Sequence, residues 1–143
     1  MKLSMGNKIF LDSNLFIALL NQNDSSHVSA VRVLGEIQRL RLNALTSNFV
    51  ISEVITVLSQ RVDKNLAISF ADAIYRVPSL QILTVDRTVE LMAIEYLKRV
   101  ESKNVSFCDC TIFAILELLQ VPYLATFDKD FKKSGTRYKI IGQ

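Results

Sequence analysis

Apolar and polar positions fall into alternating blocks along the chain, and most blocks have a readable period. Ile9, Phe10 and Leu11 form a short β-favouring run after Lys8, so residues 8–12 predict a strand. Ser13 or Asn14 then caps a helix reaching about residue 20. Asp24 and Ser26 offer a second cap before a long helix to about residue 41. In it Val28, Val31, Leu34, Ile37 and Leu40 recur at near-helical spacing and are expected to form one buried face. Residues 43–46 predict a second strand, followed by a helix over about 48–61 capped by Ser47 or Asn48. Asp63 opens another helix, which ends before Pro78 because the residue ahead of a proline disfavours helix. Residues 80–85 predict the third strand, Asp86 caps a helix to about residue 102, and Ser106 caps one to about 120. Residues 122–126 and 138–141 predict a fourth strand and a short fifth, with a turn over 128–132 between them.

Strands alternating with helices imply crossover units and a parallel sheet. Right-handed crossovers place helices on both faces, giving a three-layer α/β/α architecture. Ligand sites in such sheets lie at the carboxyl ends of the strands. The 143 residues suit a single domain spanning 1–143, and a chain 50% hydrophobic and 22% charged can bury a real core. Only 4 Gly and 2 Pro punctuate it, so loops are short, and no Gly-rich phosphate loop is present. That argues against dinucleotide and P-loop chemistry. No apolar run approaches the roughly 20 residues that span a bilayer. Asp12 cuts off the only apolar patch near the N-terminus, so a soluble, cytoplasmic protein without a membrane anchor is expected. Cys108 and Cys110 stand one residue apart, about 200° around a helix, and cannot both face one metal. With a single histidine, His27, they are too few for a zinc site and read as reduced, small core residues.

The carboxylates carry the chemistry. Asp12 directly follows the first strand, and Asp128 comes two residues after the fourth strand ends at Thr126. Both belong on the functional edge, although an acid after a strand equally suits a helix cap. Glu53 lies in a helix apolar nearly all round, expected to be mostly buried, where an unpaired carboxylate costs several kcal/mol. Asp109 sits in the first turn of another apolar helix, where the helix dipole favours it by about 0.3–1 kcal/mol. A shared cation explains both; the alternative is two carboxylates that look out through gaps. Such oxygens are hard ligands suited to Mg²⁺ or Mn²⁺, which keep several waters. There is no Ser–His or Cys–His pair, and His27, away from the acids, reads as packing or capping. The net charge of +3 leaves a modestly basic body around an acidic pocket, which suits a polyanion and equally suits ordinary solubility. Lys129, Lys132, Lys133, Arg137 and Lys139 cluster just after Asp128, either tracking an RNA backbone or forming a solvated turn. Tyr96, Tyr123 and Tyr138 either stack bases or are structural. The runs 15–20 and 50–58 look too apolar for a small monomer to bury alone, which points to dimerisation or a docked partner helix.

Five pieces of the chain resemble the PIN-domain nuclease family. They are Ile9-Phe10-Leu11-Asp12-Ser13-Asn14, then Asp24, His27 and Ala30, then Ser52-Glu53-Val54, then Ser106-Phe107-Cys108-Asp109, then Ala125-Thr126-Phe127-Asp128 with Phe131. Each is short, but they occur in the family's order with its usual gaps over nearly the whole chain. The length looks like the VapC toxin branch. The resemblance implies a sheet in the order 3-2-1-4-5 with an acidic pocket at its carboxyl edge. It assigns metal binding and catalysis to Asp12, Glu53, Asp109 and Asp128, with Asn14 and Thr126 as supporting polar residues. It implies a Mg²⁺- or Mn²⁺-dependent endoribonuclease, the toxin of a toxin–antitoxin pair, leaving 5′-phosphate and 3′-hydroxyl ends. A homodimer and an antitoxin partner follow from the same resemblance. Cys110 stands where the family often has alanine, a small residue in either case, and Asp130 is a spare acid without a ligand role.

Three rivals differ in class. A catalytically silent binding module of this fold would be expected to lose acids, yet all four stand. A haloacid-dehalogenase-like phosphatase wants a second acid two residues after Asp12, where Asn14 stands. A phosphoacceptor receiver domain wants paired acids after the first strand; Asp86 follows the third, but Asp12 is alone. A housekeeping RNA-processing role stays open beside the toxin role.

Overall fold

Each short apolar run between two helices becomes one strand of a single sheet. The computed structural model describes residues 7–133 and 138–142. The strands are β1 (Lys8–Leu11), β2 (Asn43–Ser47), β3 (Leu80–Leu83), β4 (Tyr123–Ala125) and β5 (Lys139–Ile141). Their order is β3-β2-β1-β4-β5, every pairing is parallel, and Phe10 of β1 lies opposite Leu45 on one side and Leu124 on the other. This is the order that the resemblance implies. Central β1 is apolar on both faces because both are covered: Ile9 and Phe10 are fully buried.

The helices are α1 (Ser13–Leu20), α2 (His27–Arg39), α3 (Asn48–Val57), α4 (Lys64–Ile74), α5 (Arg87–Arg99) and α6 (Phe107–Leu118). A π-helical turn, Leu58–Val62, extends α3, and a 3₁₀ turn, Lys129–Lys133, follows β4. α6 is buried along most of its length, from Cys110 to Leu116. Its Phe113 ring meets Phe131 of the 3₁₀ turn edge-to-face at 5.2 Å. The acidic turn after β4 is thereby anchored to the core.

Local details depart from the sequence reading in instructive ways. α1 is capped by Asp12 itself, whose Oδ1 accepts from Ser13 N at 2.7 Å, and not by Ser13 or Asn14. Ser47 caps α3, while the Asn48 side chain accepts from Val85 N at 2.8 Å and ties α3 to the chain leaving β3. The expected face of α2 is wrong. Ala30, Val33 and Ile37 are buried, whereas Val28 and Val31 are 69% and 52% exposed. A strict three-residue spacing drifts about 60° per step around an α-helix, so those five positions spiral and form no stripe. The large apolar side chains of α1 and α3 are buried or half-buried against this chain's own core. Large exposed apolar side chains sit instead on α2, α4 and α5.

Gln120, just past α6, adopts a left-handed conformation with φ 50°, and Val121 N closes the helix by donating to Leu116 O. Glycine takes this conformation without the Cβ penalty. Gln120→Gly is expected to stabilise the fold by about 1 kcal/mol, raising Tm by about 3 °C. A thermal melt showing a fall in Tm instead would mean that the Gln120 side chain contributes more than the backbone strain costs.

Candidate active site

Parallel pairing brings the carboxyl ends of all five strands to one edge, where α1 and α3 begin and α6 starts before running back to β4. Asp12 sits at its centre, at the end of β1, with 3% of its surface exposed. Thr126, one residue past β4 and 1% exposed, donates its hydroxyl to Asp12 Oδ2 at 2.7 Å. The same hydroxyl oxygen accepts from Asn14 Nδ2 at 3.2 Å and from Asp128 N at 3.0 Å. Asn14 Nδ2 also reaches Asp12 Oδ2 at 3.4 Å, and Asn14 Oδ1 accepts from Phe127 N at 3.1 Å. Thr126 therefore uses its one donor and both lone pairs, joining β1, α1 and the 128 turn. Gly142 packs against this hub. Its φ is 117°, and a Cβ there would lie 2.9 Å from the Thr126 carbonyl oxygen.

Asp109 is half-buried in the first turn of α6 and held by a capping box. Ser106 Oγ accepts from Asp109 N at 3.0 Å, and Asp109 Oδ2 accepts from Ser106 N at 2.9 Å. Asp128 is half-buried, and its Oδ1 accepts from Asp130 N at 2.9 Å. Glu53 is half-buried on α3; that helix turns exposed residues such as Ser52 and Thr56 outward and is less enclosed than its composition suggests.

Electrostatics tie these acids together. Burial, opposed by the Thr126 bond and reinforced by the charges of Asp109 and Glu53, pushes the Asp12 carboxyl up to about 7. Burial, opposed by the Ser106 backbone bond and reinforced by Asp128 and Glu53, pushes Asp109 up to about 6. Asp109 and Glu53 thus lie within electrostatic reach of Asp12, and Asp128 within reach of Asp109. They do not form a closed chelate: among the described residues no three His, Cys, Asp or Glu side chains converge tightly enough to hold a metal.

The sequence places Cys108 in the core, whereas the fold leaves it half-buried and within the site's field. Burial, then Glu53, Asp12 and Asp109, push its thiol far up, so it stays neutral. Its place one residue before Asp109 was the available signal. Ser106 was legible as a cap, though not as the group that orients Asp109. Asp130 lines a neighbouring groove, and His27 Nδ1–H donates to Ala18 O at 2.7 Å, joining α2 to α1 away from the acids. Tyr138 donates its hydroxyl to Phe131 O, a structural bond. Lys129 and Lys139 are exposed; Arg137 and the side chains of Lys132 and Lys133 lie outside the described residues.

The PIN-domain family model matches residues 9–135. The chain belongs to the PIN-domain family. Among PIN-domain proteins, it is 31% identical over 127 residues to the 23S rRNA-specific endonuclease VapC20 of Mycobacterium tuberculosis, covering 89% of this chain and 94% of that protein. The crystal structure of VapC20, described as a Sarcin-Ricin loop cleaving toxin, is similar with a TM-score of 0.81 at 29% identity, over 91% of this chain and 98% of that one. The VapBC2 structure from Rickettsia felis, bound to a DNA fragment from their promoter, shares the PIN fold at a TM-score of 0.64 and 18% identity, covering 92% and 96%.

Proposed function

We propose that the chain is a Mg²⁺- or Mn²⁺-dependent endoribonuclease acting as the toxin of a toxin–antitoxin pair. The observation that carries this reading is the buried Asp12 facing the charges of Asp109 and Glu53. A buried carboxylate among like charges is stable as an anion only beside a cation. The donor set is all carboxylate oxygen, which fits a hard divalent ion that keeps part of its water shell. Asp12, Glu53, Asp109 and Asp128 would hold it through carboxylate oxygen lone pairs. When bound, such an ion supplies a water of lowered pKa and neutralises charge developing on the phosphodiester.

The chain's own residues set the geometry. Thr126 and Ser13 N orient Asp12, the capping box orients Asp109, and Asp130 N orients Asp128. The identity to a 23S rRNA-specific endonuclease favours a structured ribosomal RNA as substrate, the sarcin–ricin loop being the first to test. The toxin reading brings an antitoxin protein as partner. A homodimer belongs to the same reading, and exposed Leu91 and Leu97 on α5 supply apolar area for a protein partner to cover.

The test is cleavage of a sarcin–ricin loop hairpin and a pool of structured RNAs by purified protein with Mg²⁺, with Mn²⁺ and with EDTA. Cutting is expected with metal and is expected to vanish with EDTA. A folded, partner-free protein that cuts nothing under any metal would sink the nuclease reading in favour of a silent binding module.

A further inference from the structure

Beside the carboxylate cluster lies a second concavity of about 580 Å³, between the end of α5, the loop into α6 and the 3₁₀ turn. Its volume falls in the roughly 300–1,000 Å³ range of small-ligand sites. Phe113 and Tyr96 line it as a tilted ring pair with centroids 5.5 Å apart. The Arg99 guanidinium lies over the Tyr96 ring, 4.4 Å from its centroid, and the Tyr96 hydroxyl donates to Glu117 Oε2. The ring is thus held from both its edge and its face. Glu101, Ser102 and Asp130 supply polar groups to the same wall.

The groove touches the acidic site at two points. Asp130 belongs to the turn whose backbone N–H holds Asp128. Val105, another wall residue, immediately precedes Ser106, the cap that orients Asp109. These two links place the opening next to the elements that carry Asp109 and Asp128.

The lining chemistry selects the occupant. Among the described residues two carboxylates face one guanidinium, which favours a base over a phosphate. Phe113 is buried behind Tyr96, so the surface open to a ligand is the exposed Arg99 guanidinium backed by the Tyr96 ring, and a guanidinium plane is what an unpaired base stacks on. Carboxylates then favour a base edge rich in N–H donors, and guanine alone offers a ring N–H beside an exocyclic amino group, a pair that one carboxylate accepts together. Resting on the nuclease reading above, we propose that this groove holds one unpaired guanine of the RNA next to the scissile phosphate, with its donor edge on Glu101 or Asp130.

The test uses the full chain with Mg²⁺ or Mn²⁺ and a hairpin library with a randomised loop, the cut ends being sequenced. Guanine is expected to be enriched at one fixed position from the cut. In the best substrate, inosine at that position removes the amino group, and cutting is expected to fall roughly 10- to 100-fold, as for loss of a hydrogen bond to a charged group. In Glu101→Gln/Asp130→Asn, checked as folded by circular dichroism, the guanine-to-inosine ratio is expected to collapse towards one. A library cut without base preference, or a ratio unchanged in the double variant, would overturn the proposal. An unchanged ratio with weakened antitoxin binding would overturn it too, and would reassign the groove to a protein segment. A library left uncut by the metal-loaded wild type would remove the nuclease reading itself, a result distinct from cutting without preference.

Discussion

Asp12→Asn is expected to leave the protein unable to cut RNA and, without metal, more stable than the wild type at neutral pH. Asp12 is almost wholly buried, and its carboxyl is raised from 3.8 to about 7, first by burial and then by Asp109 and Glu53. Below pH 3.8 Asp12 is neutral whether the chain is folded or unfolded, and the site costs nothing. Between about 4 and 7 the unfolded chain gives up the proton while the folded chain keeps it. The folded state then binds more protons, so its stability falls as pH rises and levels off above about 7. Asn carries no charge and escapes this loss. It has only one carbonyl oxygen to serve both Ser13 N and the Thr126 hydroxyl, which returns about 1 kcal/mol of the gain. The metal-free variant is therefore expected to exceed the wild type by about 3 kcal/mol at pH 8 and to fall slightly below it at pH 4. Saturating Mg²⁺ or Mn²⁺ is expected to reverse the order by stabilising the wild type alone. Thermal melts in EDTA across pH 4–8 decide it. A Tm difference that does not change with pH would show that Asp12 is not held protonated by its surroundings.

The same residue shows what the sequence reveals and where it stops. The run Ile9-Phe10-Leu11 ended by Asp12 is legible because a doubly covered strand must be apolar and its first polar residue must mark the edge. Alternation of strands and helices is equally legible, since it follows from local periodicity. What fails is anything set by rotation or by contact between distant segments. The α2 face was misread because spacing by three looks like a stripe in the sequence and spirals in space. The π-turn Leu58–Val62 has no period of its own, and the helix simply seemed to reach Arg61. The apolar surplus on α1 and α3 faces this chain's own core, and a sequence does not show how much of such a surplus the neighbouring elements cover. Thr126 was placed near the metal by family likeness alone. Its use of all three hydrogen-bonding positions depends on Asn14 and Asp128, which only the fold brings together. The groove beside the site is less legible still, since Tyr96, Phe113 and Asp130 belong to three separate elements.

Thr126→Val is expected to disable the site while keeping its shape. Valine has nearly the size and branching of threonine but neither donates nor accepts. Asp12 Oδ2 loses its 2.7 Å bond, and the Asp128 N–H and Asn14 Nδ2 lose an acceptor. Leaving buried partners unmatched costs about 1–3 kcal/mol. The Thr126 bond also works against the burial that raises Asp12, so its removal drives the carboxyl further up and makes the anion harder to form. Asp128 at the same time loses the bond that fixes its backbone two residues past β4. Groups that orient metal ligands typically cost roughly 10- to 100-fold in metal affinity or activity when removed. The expected result is therefore a cleavage rate lowered by about that factor, with the metal concentration for half-maximal rate raised in step. Thr126→Ser keeps the hydroxyl and is expected to restore most of both. A valine variant that needs no more metal than the wild type, with its whole defect in Tm, would make Thr126 a core residue and nothing more.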